Sequence, residues 1–205
     1  MNLSVWKAIT GTVSQNNAGT AFGGTLTEAD GVIAFGSRGY LHTTTEFDPE
    51  LVGGLEINGE FTFISGDDFF SVLTRTDAVP LTSYGEATSG IQFVMSAAGD
   101  NINIAARNGD HTISNFIVEG SIDFLTNVPY LFTVIDDGLG GLSMVVTDKD
   151  NPVNTISATA EVTADIGAKN LVAFYNRENG RNSTLQEIEI KSLTSQVEAE
   201  IIDIA

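Results

Sequence analysis

Residues 54–63, GLEINGEFTF, decide the reading of this chain. Leu55, Ile57, Phe61 and Phe63 fall on one side of a period-two pattern, and Glu56, Asn58, Glu60 and Thr62 on the other. Because successive side chains of an extended strand point to opposite faces, this is a strand with one apolar and one wet face. The pattern recurs at Ile91, Phe93 and Met95 in GIQFVMS, at Tyr130, Phe132 and Val134 in PYLFTVI, and at Leu142, Met144 and Val146 in GLSMVVT. Each run is short and bounded by Gly, Asp, Asn or Pro.

The connections carry turn chemistry: SGDD at Ser65–Asp68, AGDN at Ala98–Asn101, NGD at Asn108–Asp110 and DDGLGG at Asp136–Gly141. The last two join neighbouring alternating runs as hairpins do. Roughly a dozen or more strands with closely spaced turns predict a sandwich or barrel and exclude βαβ units. The exception is SQVEAEIIDIA near the end of the sequence. There Ser195 and Glu198 have capping-box spacing and Val197, Ile201 and Ile204 could share a helical face, although strand alternation fits nearly as well. The expectation is an all-β, two-sheet antiparallel sandwich over residues 1–193, followed by a tail, 194–205, that forms a short helix or an extra strand. Its apolar residues Val197, Ile201, Ile202 and Ile204 have no place in the sandwich and mark it as a docking element.

Composition narrows the function. The 205 residues suffice for one well-filled core. A formal charge of −18 repels phosphate backbones and anionic lipid, so neither nucleic acid nor membrane is an expected partner. With no cysteine there is no disulfide framework, thiolate zinc site or cysteine nucleophile. MNLSVWKAIT lacks the pattern of a signal peptide, and no apolar run is long enough to span a bilayer.

Several stretches in this order resemble the concanavalin A-like lectin/glucanase superfamily, and within it the laminin-G-like jelly rolls of bacteria and phages: GYLHTTTEFDP, GLEINGEFTF, DDFFSVLTRTDAVPLTSYGEATSGIQF, PYLFTVIDDGLGGLSMVVTDKDNP and NLVAFYNRENGRNSTLQEIEIKSL. The resemblance implies a jelly roll that binds on its concave face or rim loops. It leaves function open among glycan-binding and adhesion modules, hydrolases, lyases and virion surface proteins.

Catalytic sets are incomplete. The glucanase pattern of paired acids would fall on Glu56-Ile57-Asn58-Gly59-Glu60, where Asn58 stands in place of the middle acid. Of the lyase set, Tyr175 and Arg177 share a strand face, but the rest of that run is missing. His42 and His111, the only histidines, read as surface or edge residues, and Trp6 as a core or edge plug. For calcium, the hard-oxygen clusters are Asp67/Asp68, Asp136/Asp137 and Asp148/Asp150, all in turns where Asp equally serves its own backbone. No cofactor is required, and Ca2+ is the one ion the sequence suggests.

For glycan recognition the candidates are Arg75, Tyr84, Glu86, Arg107, Asn176, Arg177 and Asn179, which offer an aromatic for stacking and planar groups for reading hydroxyls. In so acidic a chain these arginines have a purpose, either in recognition or in pairing with Asp and Glu. The expectation is a non-enzymatic binding or adhesion module on a virion, extracellular or bacterial cell surface, with a glycan or a protein surface as partner. The alternative is a virion decoration protein packing on a capsid lattice or as a homo-oligomer. A polysaccharide hydrolase or lyase ranks third.

Overall fold

The computed structural model describes residues 6–9, 11–14, 21–24, 26–36, 39–65, 69–76, 89–108, 111–119, 122–163, 166, 170–176 and 182–193. They form sixteen strands and, among the described residues, no helix. In chain order these are β1 (Trp6–Ile9), β2 (Gly11–Ser14), β3 (Ala21–Gly24), β4 (Leu26–Ala29), β5 (Val32–Phe35), β6 (Tyr40–Thr43), β7 (Leu55–Phe63) and β8 (Phe69–Thr76). They continue with β9 (Ser89–Ser96), β10 (Asn101–Asn108), β11 (His111–Glu119), β12 (Pro129–Asp136), β13 (Gly141–Asp148), β14 (Thr155–Glu161), β15 (Leu171–Asn176) and β16 (Ser183–Ser192).

Two seven-stranded antiparallel sheets make the sandwich. Sheet A runs β1-β6-β15-β8-β9-β10-β11 and sheet C runs β14-β13-β12-β7-β16-β5-β4, while β2 and β3 pair separately. The hairpins expected at NGD and DDGLGG join β10 to β11 and β12 to β13. Trp6 opens β1 opposite Thr43.

Strand β7 shows how the deciding stretch works. Leu55, Ile57, Phe61 and Phe63 are buried to within 1%. Gly59 holds the inward position where the alternation calls for another apolar residue, because a Cβ there would stand 2.6 Å from Cζ of Phe132, its neighbour on β12. Phe132 thus fills the space that Gly59 leaves empty. Across the layers, Phe61 of sheet C stacks on Phe70 of sheet A with ring centroids 5.3 Å apart, and Phe61 also stacks on Tyr130 at 5.5 Å. Tyr130 keeps its hydroxyl satisfied by donating to the Asp123 carbonyl and accepting the Leu125 N–H. Burial pushes its pKa above that of an ordinary phenol.

Candidate functional site

Cross-strand register places the side chains of sheet A that point away from the core in two rows. One runs from His42 through Ala173, Leu73, Gln92 and Ala105 to Asn115. The other runs from Tyr40 through Tyr175, Ser71, Val94 and Asn103 to Ile117. Strands β6, β15, β8, β9 and β10 contain no Asp or Glu, although the chain has 27 of them.

This face has two halves. Tyr40, His42, Ser71, Leu73, Ala173 and Tyr175 are each at most 3% exposed, although all six lie outside the contiguous core cluster. Tyr40 and Tyr175 meet at 6.0 Å between ring centroids, and Gln92 donates to the Ser71 hydroxyl at 3.1 Å. His42 is therefore no surface residue. Its Nδ1 lies 2.7 Å from the Thr43 carbonyl, which can only accept, so Nδ1 donates, and Nε2 is buried with no hydrogen-bond partner among the described residues.

The other half is open. Asn101, Asn103, Val94 and Arg107 are half-buried, and Asn115 and Ile117 are exposed. Asn103 donates to Asn115 at 2.5 Å, while its own carbonyl oxygen has no hydrogen-bond partner. Planar amides and a guanidinium beside aliphatic side chains, with the single acid of β11, Glu119, at the end opposite Asn101, form a surface able to hydrogen-bond a polyhydroxylated ligand.

Of the residues expected at a site, Arg107 is on this open half. Arg75 is not. At Arg75, β8 bulges into the left-handed region (φ 52°), with Gly90 lying where a Cβ would stand 2.5 Å from the Thr74 carbonyl oxygen and 2.7 Å from that of Arg75. The guanidinium grips Asp136 of sheet C with two bonds, Nε at 2.8 Å and Nη2 at 2.6 Å, and lies 3.5 Å from Glu50. Burial by itself would lower the pKa of Arg75, but the hydrogen bonds and charge of Asp136 outweigh it and hold it above the usual value. The arginine ties the two sheets together. Asn176 is fully buried and paired with Phe70, at a core-side position. Tyr84, Glu86, Arg177, Asn179, Asp67, Asp68, Val197, Ile201, Ile202 and Ile204 lie outside the described residues.

The other acidic clusters are occupied with backbone. Asp136 also accepts from Thr74 and from the Gly138 N–H; Asp137 accepts the Leu139 and Gly141 N–H groups; Asp148 accepts those of Asp150 and Asn151. Asp150 is exposed. Among the described residues no three His, Cys, Asp or Glu side chains come together as a metal-holding group.

On sheet C the outward face is a tied polar ladder. Asn58 donates to Glu56 at 2.7 Å and accepts from Thr133 at 2.7 Å, while Glu60 accepts from Lys149 and from Gln186. The would-be acid pair Glu56 and Glu60 is thus bound to partners on its own sheet.

No protein-family model and no curated protein matches the chain in sequence. Solved structures match in fold and include carbohydrate-binding modules and legume lectin-like domains. The lumenal domain of VIP36, in a form with Ca2+ and Man3GlcNAc bound, is similar with a TM-score of 0.64 and 13% identity, over 94% of this chain and 85% of that one. The CBM2 module of the evolved Dit protein of Lactobacillus casei BL23 phage J-1 gives 0.58 and 11%, over 91% and 89%. Alginate lyase PA1167 from Pseudomonas aeruginosa gives 0.57 and 9%, over 94% and 100%. The fold is the concanavalin A-like jelly roll.

Proposed function

We propose that this chain is a non-enzymatic glycan-binding module whose platform is the open half of sheet A, with Asn103, Asn115 and Arg107 reading hydroxyl or carboxyl groups. The observation that carries the reading is an amide-lined face whose five central strands hold no carboxylate in a chain of charge −18, beside a half closed from solvent. Tyr84 and Glu86, with Arg177 and Asn179, are proposed to complete the site from its rim, Tyr84 supplying the stacking ring. The carbohydrate-binding modules and lectin-like domains among the fold neighbours support this reading. The phage Dit module supports display on a phage particle or bacterial cell surface.

A glycan array probed with and without millimolar calcium tests the proposal. The expected result is a saturable binder whose affinity falls about tenfold on Asn103→Ala or Tyr84→Ala. No binder under either condition, or unchanged affinity in both variants, overturns it. The calcium arm tests whether Asp67 and Asp68 take part. Release of an unsaturated sugar product would instead favour a lyase.

A second reading, packing against a lattice of other copies or a capsid, draws on Leu51 and Leu139. They are 84% and 92% exposed on loops that touch where Gly138 meets the Pro49 carbonyl. Leu139→Asp that leaves particle incorporation unchanged would remove it.

A further inference from the structure

Outward alternation on β8 passes from Ser71 to Leu73 and would next bring out Arg75, into the row that continues through Gly90 of β9 to Arg107 of β10. The strand breaks its period there. Leu73 pairs with Ala173 and Thr76 with Leu171, so Thr74 and Arg75 together stand opposite the single residue Val172. This bulge lets two successive side chains point the same way, and both reach one carboxylate of sheet C. The Thr74 hydroxyl donates to Oδ2 of Asp136 at 2.9 Å, beside the two bonds from the Arg75 guanidinium, and Asp136 is only 1% exposed. A left-handed φ at a residue that carries a Cβ is strained and persists only where its surroundings hold it. Asp136 supplies that hold.

The bulge is also what β9 rests on. Gly90 lies directly against its carbonyls, at φ 107°, just beyond the last β8–β9 pair, Thr74 with Ile91. In the β9–β10 register Gly90 is the partner of Arg107, whose side chain turns outward because Ile104 and Ala106 turn into the core. On its other side Arg107 has no steady guide, since the β10–β11 pairing shifts between Ala106 and Arg107. The backbone that carries Arg107 is therefore set from the Gly90 side. Gly90 has no side chain to pack on the arginine stem, so the placement passes through main chain.

We infer that Asp136 and Arg75 are a positioning pair for Arg107: a carboxylate of sheet C, acting through the Arg75 bulge and Gly90, sets where the Arg107 guanidinium stands on the open half of sheet A. Their role rests on the glycan-binding reading, in which Arg107 meets the ligand. Neither member of the pair meets it. Asp136 is buried between the sheets, and the guanidinium of Arg75 is turned toward sheet C, away from the platform.

A double-mutant cycle read on the glycan array tests this, with urea unfolding showing that each variant is folded. Asp136→Asn removes the charge, and Arg75→Lys keeps a charge but cannot make two parallel bonds. Each is expected to lower binding about tenfold, as Arg107→Ala does, and Asp136→Asn combined with Arg107→Ala is expected to bind no more weakly than Arg107→Ala alone. If Asp136→Asn does not fold, Arg75→Lys takes its place in the cycle. A merely structural role would weaken binding whether or not Arg107 is present. Losses that multiply to about a hundredfold in the double variant, or full binding in both single variants of the pair, therefore overturn the inference.

The ligand-free chain gives a second readout. The Nε–H resonance of Arg107 is expected to shift in Asp136→Asn and in Arg75→Lys while the backbone amide of Asn103, farther along β10, stays in place. An unmoved Arg107 resonance overturns the inference. If no glycan binds the native chain, the glycan-binding reading fails, and this spectrum alone decides whether the pair positions Arg107.

Discussion

The outward faces of the two sheets are built on opposite plans. That of sheet C is wet along its middle and held by charge, with Glu56, Glu60 and Glu189 meeting Lys149, Lys191, Gln186 and Asn58. That of sheet A has no carboxylate on its five central strands and is closed from solvent over β6, β15 and β8. A jelly roll needs only one hydrophobic layer, between its sheets, and sheet A has a second buried layer outside it. Here it adjoins the amide-lined half proposed to bind. One sheet carries the solvated charge and the other carries the proposed site.

The largest test of this contrast is Tyr175→Ala. If the closed half is packed as a core, the substitution costs on the order of 3–5 kcal/mol in urea unfolding. Thr133→Ala, which removes an outward hydroxyl of sheet C bound only to Asn58, should cost about 1 kcal/mol. Equal costs would erase the distinction between the faces.

Arg107→Ala comes next: it should weaken glycan binding about tenfold, near 1.4 kcal/mol, while moving the unfolding midpoint little. The charged ladder of sheet C supplies the smallest effect. The hydrogen bond and charge of Glu60 raise the pKa of Lys149, and a hydrogen bond to Glu189 raises that of Lys191. A raised folded-state pKa contributes stability that is complete below the unfolded lysine value and is lost as pH climbs through the folded one. Stability should therefore dip slightly in alkali, and the dip should shrink in Glu60→Gln when unfolding is followed against pH. A dip that persists unchanged in that variant would place its source elsewhere.

How much of this could be read beforehand differs between the two faces. Alternation in GLEINGEFTF is legible because its outer residues are polar and its inner ones apolar, so strand, face and sheet follow together. It fails on YLHT of β6, where all four residues are buried. Period two sorts side chains into two sets but does not say that both sets are covered, and so His42 reads as a surface histidine. Asp136 reads as a turn residue because its partner Arg75 lies 61 positions away in sequence, and the left-handed bulge that aims the arginine leaves no local signature apart from Gly90. Asn176 misleads for the simplest reason: it is polar at a strand end, yet its register puts it against Phe70. Arg107 keeps the β9–β10 register, opposite Gly90, although the β10–β11 pairing shifts between Ala106 and Arg107.

The grip of Arg75 on Asp136 has a mechanical meaning if the module is displayed where it is pulled. Apolar contact between two sheets is non-directional, so stacked rings such as Phe61 and Phe70 can slip past one another while still touching. Two parallel hydrogen bonds between a guanidinium on one sheet and a carboxylate on the other hold only in one alignment. A load that slides sheet A along sheet C meets that pair as a latch against shear, set at the end of the sandwich where β12 turns into β13.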